Sequence, residues 1–426
     1  MKAKKELVIV GNGMATCRLL DGLHSRDAQD RFAITVIGDE AHGAYNRIQL
    51  GKVLVGGAID DVLTKPSQWY AEHGVKFMPG RLVEKLDTAA RRVHFVDGEP
   101  LRYDAVVLAT GSKPILPALN GMVDDEGKLL EGIFGYRTLD DSLSMRRYAR
   151  PGDSAVVLGG GLLGLEAAKA LSDLGLHVTI VHLAHQLMNT QLDFVGGEML
   201  RKQIERGGMF VRTGRTIERV LGTESRDGLS LDGVVLDDGE QLSADMLVVA
   251  CGVRPRIEVA QRSRIPVNRG IQVNDLMATE VPGVYAIGEC TEHCGMTYGL
   301  VAPAWEQADV LADVLTGARP QARYHGSKLY SRLKVAGVEV ASLGVLEPVL
   351  ESDQVIQIIE ERSLAYRKLI VRGRQLIGAQ LVGNTAAASA LIQTFDRDDP
   401  LPEDPLEALC SFSAGGAASS GPRTIC

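Results

Sequence analysis

LVIVGNGMATCRLL at residues 7–20 and AVVLGGGLLGLEAA at residues 155–168 share one pattern: an apolar run, a glycine-rich turn and a helical repeat. Each stretch predicts a strand, a tight turn and a helix in succession. In such a unit the early glycines bring the backbone close to a pyrophosphate, which the amides at the helix N-terminus then hold. Two such units predict an α/β fold with two Rossmann-like, dinucleotide-binding domains.

The first loop offers Gly11, Gly13, Met14 and Ala15 as cofactor-binding residues. Thr16 stands where glycine or alanine is usual, so we expect slightly looser packing of the helix on the strand. The next predicted strand ends at Asp39 and Glu40, where a carboxylate can accept hydrogen bonds from an adenosine ribose. Asp39 is the first choice for that contact.

The second loop is a complete fingerprint, and its candidate residues are Gly159, Gly161, Leu162, Leu163 and Gly164. After the strand HVTIV the ribose-reading position holds His182 instead of an acid, and no arginine follows in HLAHQLMNT. A neutral histidine can still form a hydrogen bond with a 2′-hydroxyl. Because no cation is present to bind a 2′-phosphate, the sequence favours NADH, and NADPH remains an alternative. The alternative is a solvated loop histidine.

Three further strand ends carry a family resemblance: YDAVVLATGSKP (103–114), ADMLVVACGVRP (244–255) and ATEVPGVYAIGEC (278–290). Residues 5–320 resemble the two-dinucleotide-fold flavoprotein reductases, the pyridine-nucleotide-disulphide-reductase-like superfamily. The resemblance implies FAD at the first loop and a reduced nicotinamide nucleotide at the second. The implied domains are 1–115 and 250–322 for FAD, 116–249 for NAD(P)H, 323–400 as a small α+β interface domain that covers the flavin and aids dimer contacts, and 401–426 as a flexible tail or linker.

Within this superfamily, GDEAHGAYNRIQLGK (38–52) resembles the oxygenase-coupled ferredoxin reductases and the apoptosis-inducing-factor branch. That resemblance places Asp39 on the FAD ribose, Arg47 on the FAD phosphates, and a buried Lys52 beside the flavin, with Glu166 near the nicotinamide; Lys52 and Glu166 are the catalytic candidates. Glu289 replaces the family aspartate, and Trp305 is expected to shield the flavin or simply to pack. The remaining expected cofactor-binding residues are Glu40, Val83, Ala109, Thr110, Gly111, Gly252 and Gly288.

A closer resemblance links VTIVHLAHQLMNTQLD (178–193) and AIGECTEHCGMTYGLVAPAWEQADVLADVL (286–315) to bacterial assimilatory nitrite reductase large subunits and nitrate reductase electron-transfer subunits. It implies an NAD(P)H-dependent oxidoreductase whose FAD passes electrons to an iron-sulphur, siroheme or molybdenum component. A stand-alone ferredoxin or rubredoxin reductase and a flavin-binding interaction protein like apoptosis-inducing factor are the alternatives.

Cysteine usage and charge exclude other classes. Cys17 has no partner at the C-x4-C spacing of a redox disulphide, and Cys290, His293 and Cys294 are too few for a structural zinc, so no metal is expected. A net charge of −8 without a basic cluster argues against nucleic acid. MKAKKELVIV lacks the length of a signal or membrane segment, which predicts a cytoplasmic protein.

Overall fold

The structure, a computed structural model, describes residues 3–225 and 228–410. Its strands are β1 Lys5–Val10, β2 Phe32–Ile37, β3 Ala44–Tyr45, β4 Leu63–Lys65, β5 Val75–Met78, β6 Val83–Asp87, β7 Arg92–Phe95, β8 Leu101–Arg102, β9 Ala105–Leu108, β10 Ser112–Pro114, β11 Ile133–Gly135, β12 Ser154–Leu158, β13 His177–His182, β14 Phe210–Thr213, β15 Ile217–Ser225, β16 Gly228–Leu236, β17 Gln241–Ser243, β18 Met246–Val249, β19 Val253–Pro255, β20 Ile271–Val273, β21 Val284–Ala286, β22 Thr291–His293, β23 Tyr330–Val335, β24 Val338–Gly344, β25 Asp353–Glu360, β26 Ala365–Arg372 and β27 Gln375–Val382. Its α-helices are α1 Met14–His24, α2 Leu50–Leu54, α3 Ser67–Glu72, α4 Leu139–Tyr148, α5 Leu162–Asp173, α6 Phe194–Arg206, α7 Glu258–Arg262, α8 Val301–Thr316, α9 Ala388–Arg397 and α10 Glu407–Cys410.

The first parallel sheet has the strand order β21-β9-β1-β2-β5. Its central strand β1 is an unbroken apolar run whose Leu7, Val8 and Ile9 are fully buried, as expected for a strand covered on both faces. Because β21 comes from residues 284–286 and the other four strands precede residue 109, two separated parts of the chain build this sheet.

The second parallel sheet has the order β11-β18-β12-β13-β14 and lies between those two parts in sequence. Its central strands β12 and β18 are likewise buried apolar runs. An antiparallel sheet of β15, β16 and β17 packs on it, and a matching sheet of β6, β7 and β8 packs on the first. The prediction of two Rossmann-like domains is confirmed.

The C-terminal domain is an antiparallel sheet of order β23-β24-β27-β26-β25 with α9 packed on it. Residues 401–410, predicted to begin a flexible tail, pack here instead. Leu401 and Leu409 are each 2% exposed, and the guanidinium of Arg374 donates to the carbonyl of Leu401. These two leucines fill the same apolar core as α9, so the ordered domain extends past the predicted boundary. Residues 411–426 of the predicted tail lie outside the described residues.

Candidate functional site

A cavity of about 990 Å³ is lined by residues from the carboxyl ends of both parallel sheets. This is the edge at which open α/β sheets bind ligands. The cavity reaches from the first glycine loop to the second, so one space serves both predicted subsites. It is lined by the predicted site residues Gly11, Gly13, Met14, Ala15, Asp39, Glu40, Arg47, Ala109, Thr110, Gly111, Gly159, Gly161, Leu162, Leu163, Glu166, His182, Gly252, Gly288 and Glu289.

The first glycine loop leaves room for a ligand at the start of α1. A Cβ on Gly11, whose φ is +109°, would lie 2.1 Å from the carbonyl oxygen of Ala109, whereas a Cβ on Gly13 would meet nothing within 4 Å. No side chain caps α1, so its first amides remain available to an anion. The buried Nδ2 of Asn12 has no hydrogen-bond partner in the protein. These features fit the pyrophosphate of a dinucleotide.

Thr16 does not weaken this loop. Its side chain is fully buried, and its hydroxyl donates a 2.8 Å hydrogen bond to the carbonyl oxygen of Gly11. In the second loop a Cβ on Gly164 would lie only 1.9 Å from the carbonyl oxygen of Gly159. The first loop therefore accommodates a side chain that the second cannot, and it gains a polar contact in return.

Two acids follow β2 and both have partners. Asp39 accepts a hydrogen bond from Arg256, and Glu40 accepts one of 2.6 Å from the Tyr45 hydroxyl and one of 2.5 Å from Arg47. Arg256 lines the cavity but was not expected from the sequence. Its position next to Asp39 follows from β19, which pairs with β10 across the two FAD segments.

Arg137 is a second cavity cation that sequence reasoning missed. It lies next to Thr138, the N-cap of α4, and it donates to Ser112 at 2.8 Å and also to Glu289. Its Nε is buried and has no partner in the protein. The capping box Thr138–Asp141 was a readable helix start, but nothing in it indicated that the preceding arginine faces a ligand. Glu289 therefore lines the cavity as a paired carboxylate.

Only one of the two catalytic candidates lines the cavity. Glu166 lines the cavity, and burial raises its pKa. Lys52 is exposed and is not part of the cavity wall, so the expectation of a buried lysine is wrong. The reason is the orientation of α2, which buries Leu50, Val53 and Leu54 and presents the preceding Gly51 to Glu166, with 3.7 Å between a Cβ built there and Oε2.

His182 lines the second subsite, and both nitrogens of its ring have partners in the protein. Its Nδ1 accepts a 3.0 Å hydrogen bond from the Gly160 amide, and its Nε2 lies 3.3 Å from Oδ1 of Asn189. Burial lowers the pKa of His182, which favours the neutral imidazole. The ring therefore ties the glycine loop to the segment that follows β13.

Helix α8 begins at Val301, four residues before Trp305, and its first turn lines the cavity at Val301, Ala302 and Ala304. Trp305 is 43% exposed and lies outside the cavity wall, so it neither shields the site nor packs in the core. The helix instead turns Gln307 inward, where its Oε1 accepts a 2.7 Å hydrogen bond from the Gly288 amide. Val83 is also outside the wall, since β6 buries it in the core.

Cys17 and Cys251 are not placed for thiol chemistry. The Sγ of Cys17 lies 3.2 Å from the Thr64 hydroxyl, and burial raises its pKa to about 11. Cys251 lines the cavity beside the second glycine loop, and burial raises its pKa to about 11 as well. Both side chains therefore remain protonated thiols at neutral pH.

Cys290, His293 and Cys294, which are close together in sequence, do not form a cluster in the structure. Cys290 is buried with its Sγ against the carbonyl oxygens of Leu108 and Ile287. Among the residues that the structure describes, Asp275 takes its place beside His293 and Cys294, with the three donor atoms within 4.8 Å of one another. His293 Nε2 is already 2.8 Å from an Asp275 oxygen, and the absence of a metal stays a prediction.

Comparison with known families agrees with this arrangement. Residues 5–308 match the family model described as pyridine nucleotide-disulphide oxidoreductase. The chain belongs to this family. Residues 330–397 of the oxidoreductase match a second model, the rubredoxin NAD+ reductase C-terminal domain. The superfamily predicted for this chain is confirmed, and so is the prediction of a nucleotide-dependent flavoprotein oxidoreductase.

Two curated relatives of this oxidoreductase come from Bacillus subtilis (strain 168). It is 40% identical to a nitrite reductase [NAD(P)H] over 94% of its own length and 48% of the relative. It is 37% identical to an assimilatory nitrate reductase electron transfer subunit over 92% of its own length and 49% of that relative. The chain thus spans about half the length of the curated relatives it matches.

Solved structures show the same fold. The putidaredoxin reductase–putidaredoxin complex matches with a TM-score of 0.84 and 23% identity, covering 97% of this oxidoreductase and 100% of that chain. A ferredoxin reductase from Rhodopseudomonas palustris matches with a TM-score of 0.83 and 24% identity, covering 95% and 97%. None of the helices within residues 3–225 and 228–410 combines the length and apolar character of a membrane span.

Proposed function

We propose that this chain is the NADH-dependent flavin module of an electron-transfer reductase that delivers electrons to an iron-sulphur acceptor in nitrite or nitrate reduction. The observation that carries this proposal is one cavity that presents both glycine loops, with no disulphide among the residues that the structure describes. Bound FAD would supply the chemistry, because it accepts an electron pair as hydride and releases electrons singly.

The first half of the cavity suits FAD. The open space at Gly13 and the uncapped start of α1 would receive the pyrophosphate. Asp39 and Glu40 would accept hydrogen bonds from the ribose hydroxyls, and their present partners Arg256 and Arg47 lie beside them. The first turn of α8 lies at the other end of this half, where its positive dipole end would favour the negative charge of a reduced flavin ring.

Arg137 and Glu289 would hold the middle of the cofactor. Their ion pair links the residue before the N-cap of α4 to the segment that follows β21, so it joins the nicotinamide domain to the FAD domain. The orphaned Nε of Arg137 offers one more donor to a ligand, and the Ser112 hydroxyl is already committed to Glu289 at 2.8 Å. The two charges of this pair offset each other, which lowers the cost of their partial burial.

The second half of the cavity favours NADH over NADPH. The cavity-lining arginines Arg47, Arg137 and Arg256 all belong to the first half, and the lining residues near His182 carry no cationic side chain. Arg215 follows β14 and approaches His182 through its backbone, but its guanidinium is paired with Asp238 at 2.5 Å. A 2′-phosphate would therefore lack a counter-charge, whereas a 2′-hydroxyl could bond to Asn189 or His182.

The proposed electron acceptor is supported by the protonated state of two thiols and by the names of the relatives. Since Cys17 and Cys251 stay protonated, electrons would leave the flavin outward instead of through a protein disulphide. The two B. subtilis relatives carry names from nitrite and nitrate reduction, which supports an acceptor in that chemistry.

Anaerobic rapid mixing of the FAD-loaded protein with NADH and with NADPH tests the proposal. We expect the flavin absorbance near 450 nm to bleach with both, with a second-order rate constant at least roughly tenfold larger for NADH. A reconstituted chain that binds no flavin, or a flavin that neither nucleotide reduces, would overturn the proposal. Reoxidation by a soluble [2Fe-2S] ferredoxin at catalytic rates would instead favour a stand-alone ferredoxin reductase.

A further inference from the structure

The segment between β13 and α6 forms one wall of the nucleotide half of the cavity. Leu183, Ala184, Asn189, Thr190 and Gln191 line that wall, and the segment ends at Asp193, the N-cap of α6. We call residues 183–192 the nucleotide loop. At its start, the preceding His182 accepts a hydrogen bond from the Gly160 amide of the second glycine loop. In its middle, the Met188 amide donates a 2.9 Å hydrogen bond to the carbonyl oxygen of Gly160.

The far end of the nucleotide loop is held by the C-terminal domain. Asp193 accepts hydrogen bonds through Oδ2 from the Tyr366 hydroxyl at 2.5 Å and from Lys368 Nζ at 2.8 Å. Its amide donates to Oε1 of Gln380 at 2.6 Å. Its other oxygen, Oδ1, caps α6 by accepting from the Gly196 amide at 2.8 Å. One residue of the nicotinamide domain is thus bonded to β26, β27 and its own helix.

These contacts are buried. The side chains of Asp193 and Lys368 are 4% and 2% exposed, and Tyr366 and Gln380 are fully buried. Burial and the Asp193 carboxylate raise the pKa of Tyr366, so its hydroxyl remains a donor. The Asp193 carboxylate thus uses three of its roughly four acceptor positions on an ammonium, a phenol and a helix N-terminus. Loss of the ammonium would leave its buried charge unpaired.

The nucleotide loop is packed between its two attachments. Leu187, Met188 and Leu192 are fully buried in a core that also contains Val335, Val340 and Tyr366 of the C-terminal domain. A Cβ on Gly197 would lie 2.6 Å from the Cβ of Gln186, so the first turn of α6 rests directly on the loop. A displacement at Asp193 would therefore be passed to Asn189 and Thr190 at the cavity.

We propose that Asp193, Tyr366, Lys368 and Gln380 are positioning residues through which the C-terminal domain sets the affinity of the nucleotide loop for the reduced nicotinamide nucleotide. This inference rests on the proposed function, because it assigns the second half of the cavity to NADH. It gives the C-terminal domain a role in donor binding, in addition to the expected covering of the flavin. None of the four residues touches the cavity, so they act through the loop.

The test compares Tyr366→Phe, Lys368→Met and Arg372→Met in the FAD-loaded full chain. Tyr366→Phe removes one hydroxyl and keeps the packed ring, so it separates the proposal from misfolding. Arg372→Met is the matched control, since Arg372 is on the same strand as Lys368 but has a 43% exposed side chain and pairs with Asp353, away from Asp193. Flavin content, the Kd for ADP-ribose by calorimetry, the KM for NADH and the limiting rate of flavin reduction are measured for each.

We expect Tyr366→Phe and Lys368→Met to raise the Kd for ADP-ribose and the KM for NADH by roughly five- to twentyfold. Flavin content and the limiting reduction rate should stay within about twofold of the parent, as should every value for Arg372→Met. Unchanged nucleotide binding in Tyr366→Phe and Lys368→Met overturns the inference, and so does an equal rise in Arg372→Met. If NADH fails to reduce the parent flavin, the proposed function fails, whereas the ADP-ribose titration still decides the positioning role.

Discussion

At the scale of single residues, orientation decides which side chains reach the site. Lys52 and Gly51 are neighbours on a helix of five residues, yet only Gly51 faces Glu166. On α8, Ala304 lines the cavity, whereas the next residue, Trp305, is exposed and lies outside it. A motif specifies that such residues are close in sequence to the site, but the buried face of the helix selects which one points into it.

Lys52 supplies the sharpest residue-level prediction. Because its side chain is exposed and outside the cavity, Lys52→Ala should change the rate of flavin reduction by NADH by less than about twofold. Glu166→Gln is the comparison, and it should slow reduction by roughly tenfold because Glu166 forms part of the cavity wall. Anaerobic stopped-flow absorbance measures both. A slow Lys52→Ala variant with normal flavin content would return Lys52 to the site.

The thiol of Cys251 gives a prediction in pH. Its side chain is exposed to the cavity while its pKa is raised to about 11, and only the thiolate reacts with iodoacetamide. At pH 8 about one molecule in a thousand carries the thiolate, so alkylation should be slow and should accelerate about tenfold per pH unit up to the pKa. Peptide mass spectrometry follows the modification. Fast labelling of Cys251 at pH 7 would contradict the raised pKa.

At the scale of elements, two glycines of the second loop have different roles: Gly164 is needed for packing, and Gly161 leaves space for the ligand. Gly164→Ala would place a Cβ 1.9 Å from the Gly159 carbonyl oxygen, and such overpacking costs roughly 1–3 kcal/mol. Gly161→Ala meets nothing within 4 Å in the protein, yet the added methyl would occupy space next to the cavity. We expect Gly164→Ala to lower Tm, and Gly161→Ala to raise the KM for NADH at an unchanged Tm. Equal melting temperatures for both variants would refute the assigned contact.

At the scale of the whole molecule, the nicotinamide domain and the C-terminal domain share a core. Val335, Val338, Val340, Tyr366 and Val382 pack with Leu187, Met188 and Leu192. Burying one such side chain stabilises a protein by roughly 1.5–3 kcal/mol, so five together rival the stability of an entire domain. The C-terminal domain is therefore part of the folding unit.

A chain that ends at residue 322 tests this unity. It should aggregate or melt far below the full chain, as measured by size-exclusion chromatography and thermal denaturation. A chain that ends at residue 400 loses the burial of Leu401 and Leu409 and the hydrogen bonds of Arg374 and Arg367 to their carbonyls. It should be destabilised by a smaller amount, roughly 2–5 kcal/mol. A soluble 322-residue chain with an unchanged Tm would show that the domains fold independently.

The glycine loops, the two parallel sheets and the family were determined by the sequence alone. Each depends on residues that are close along the chain, such as the apolar run before Gly11 or Gly159 and the helix after it, so local periodicity suffices. The acids after β2 and the replacement of the second ribose acid by His182 were predicted for the same reason, since these residues lie at or near a strand end.

The partners of those residues were decided only by the tertiary structure. Arg137 meets Glu289 across 152 positions, Arg256 meets Asp39 across 217, and Lys368 meets Asp193 across 175. No local pattern encodes such pairs, because each joins elements that are far apart in sequence and meet only when the domains pack together. The same packing turned Lys52 and Trp305 outward and attached the nucleotide loop to the C-terminal domain, since the burial of apolar faces fixes the rotation of each helix.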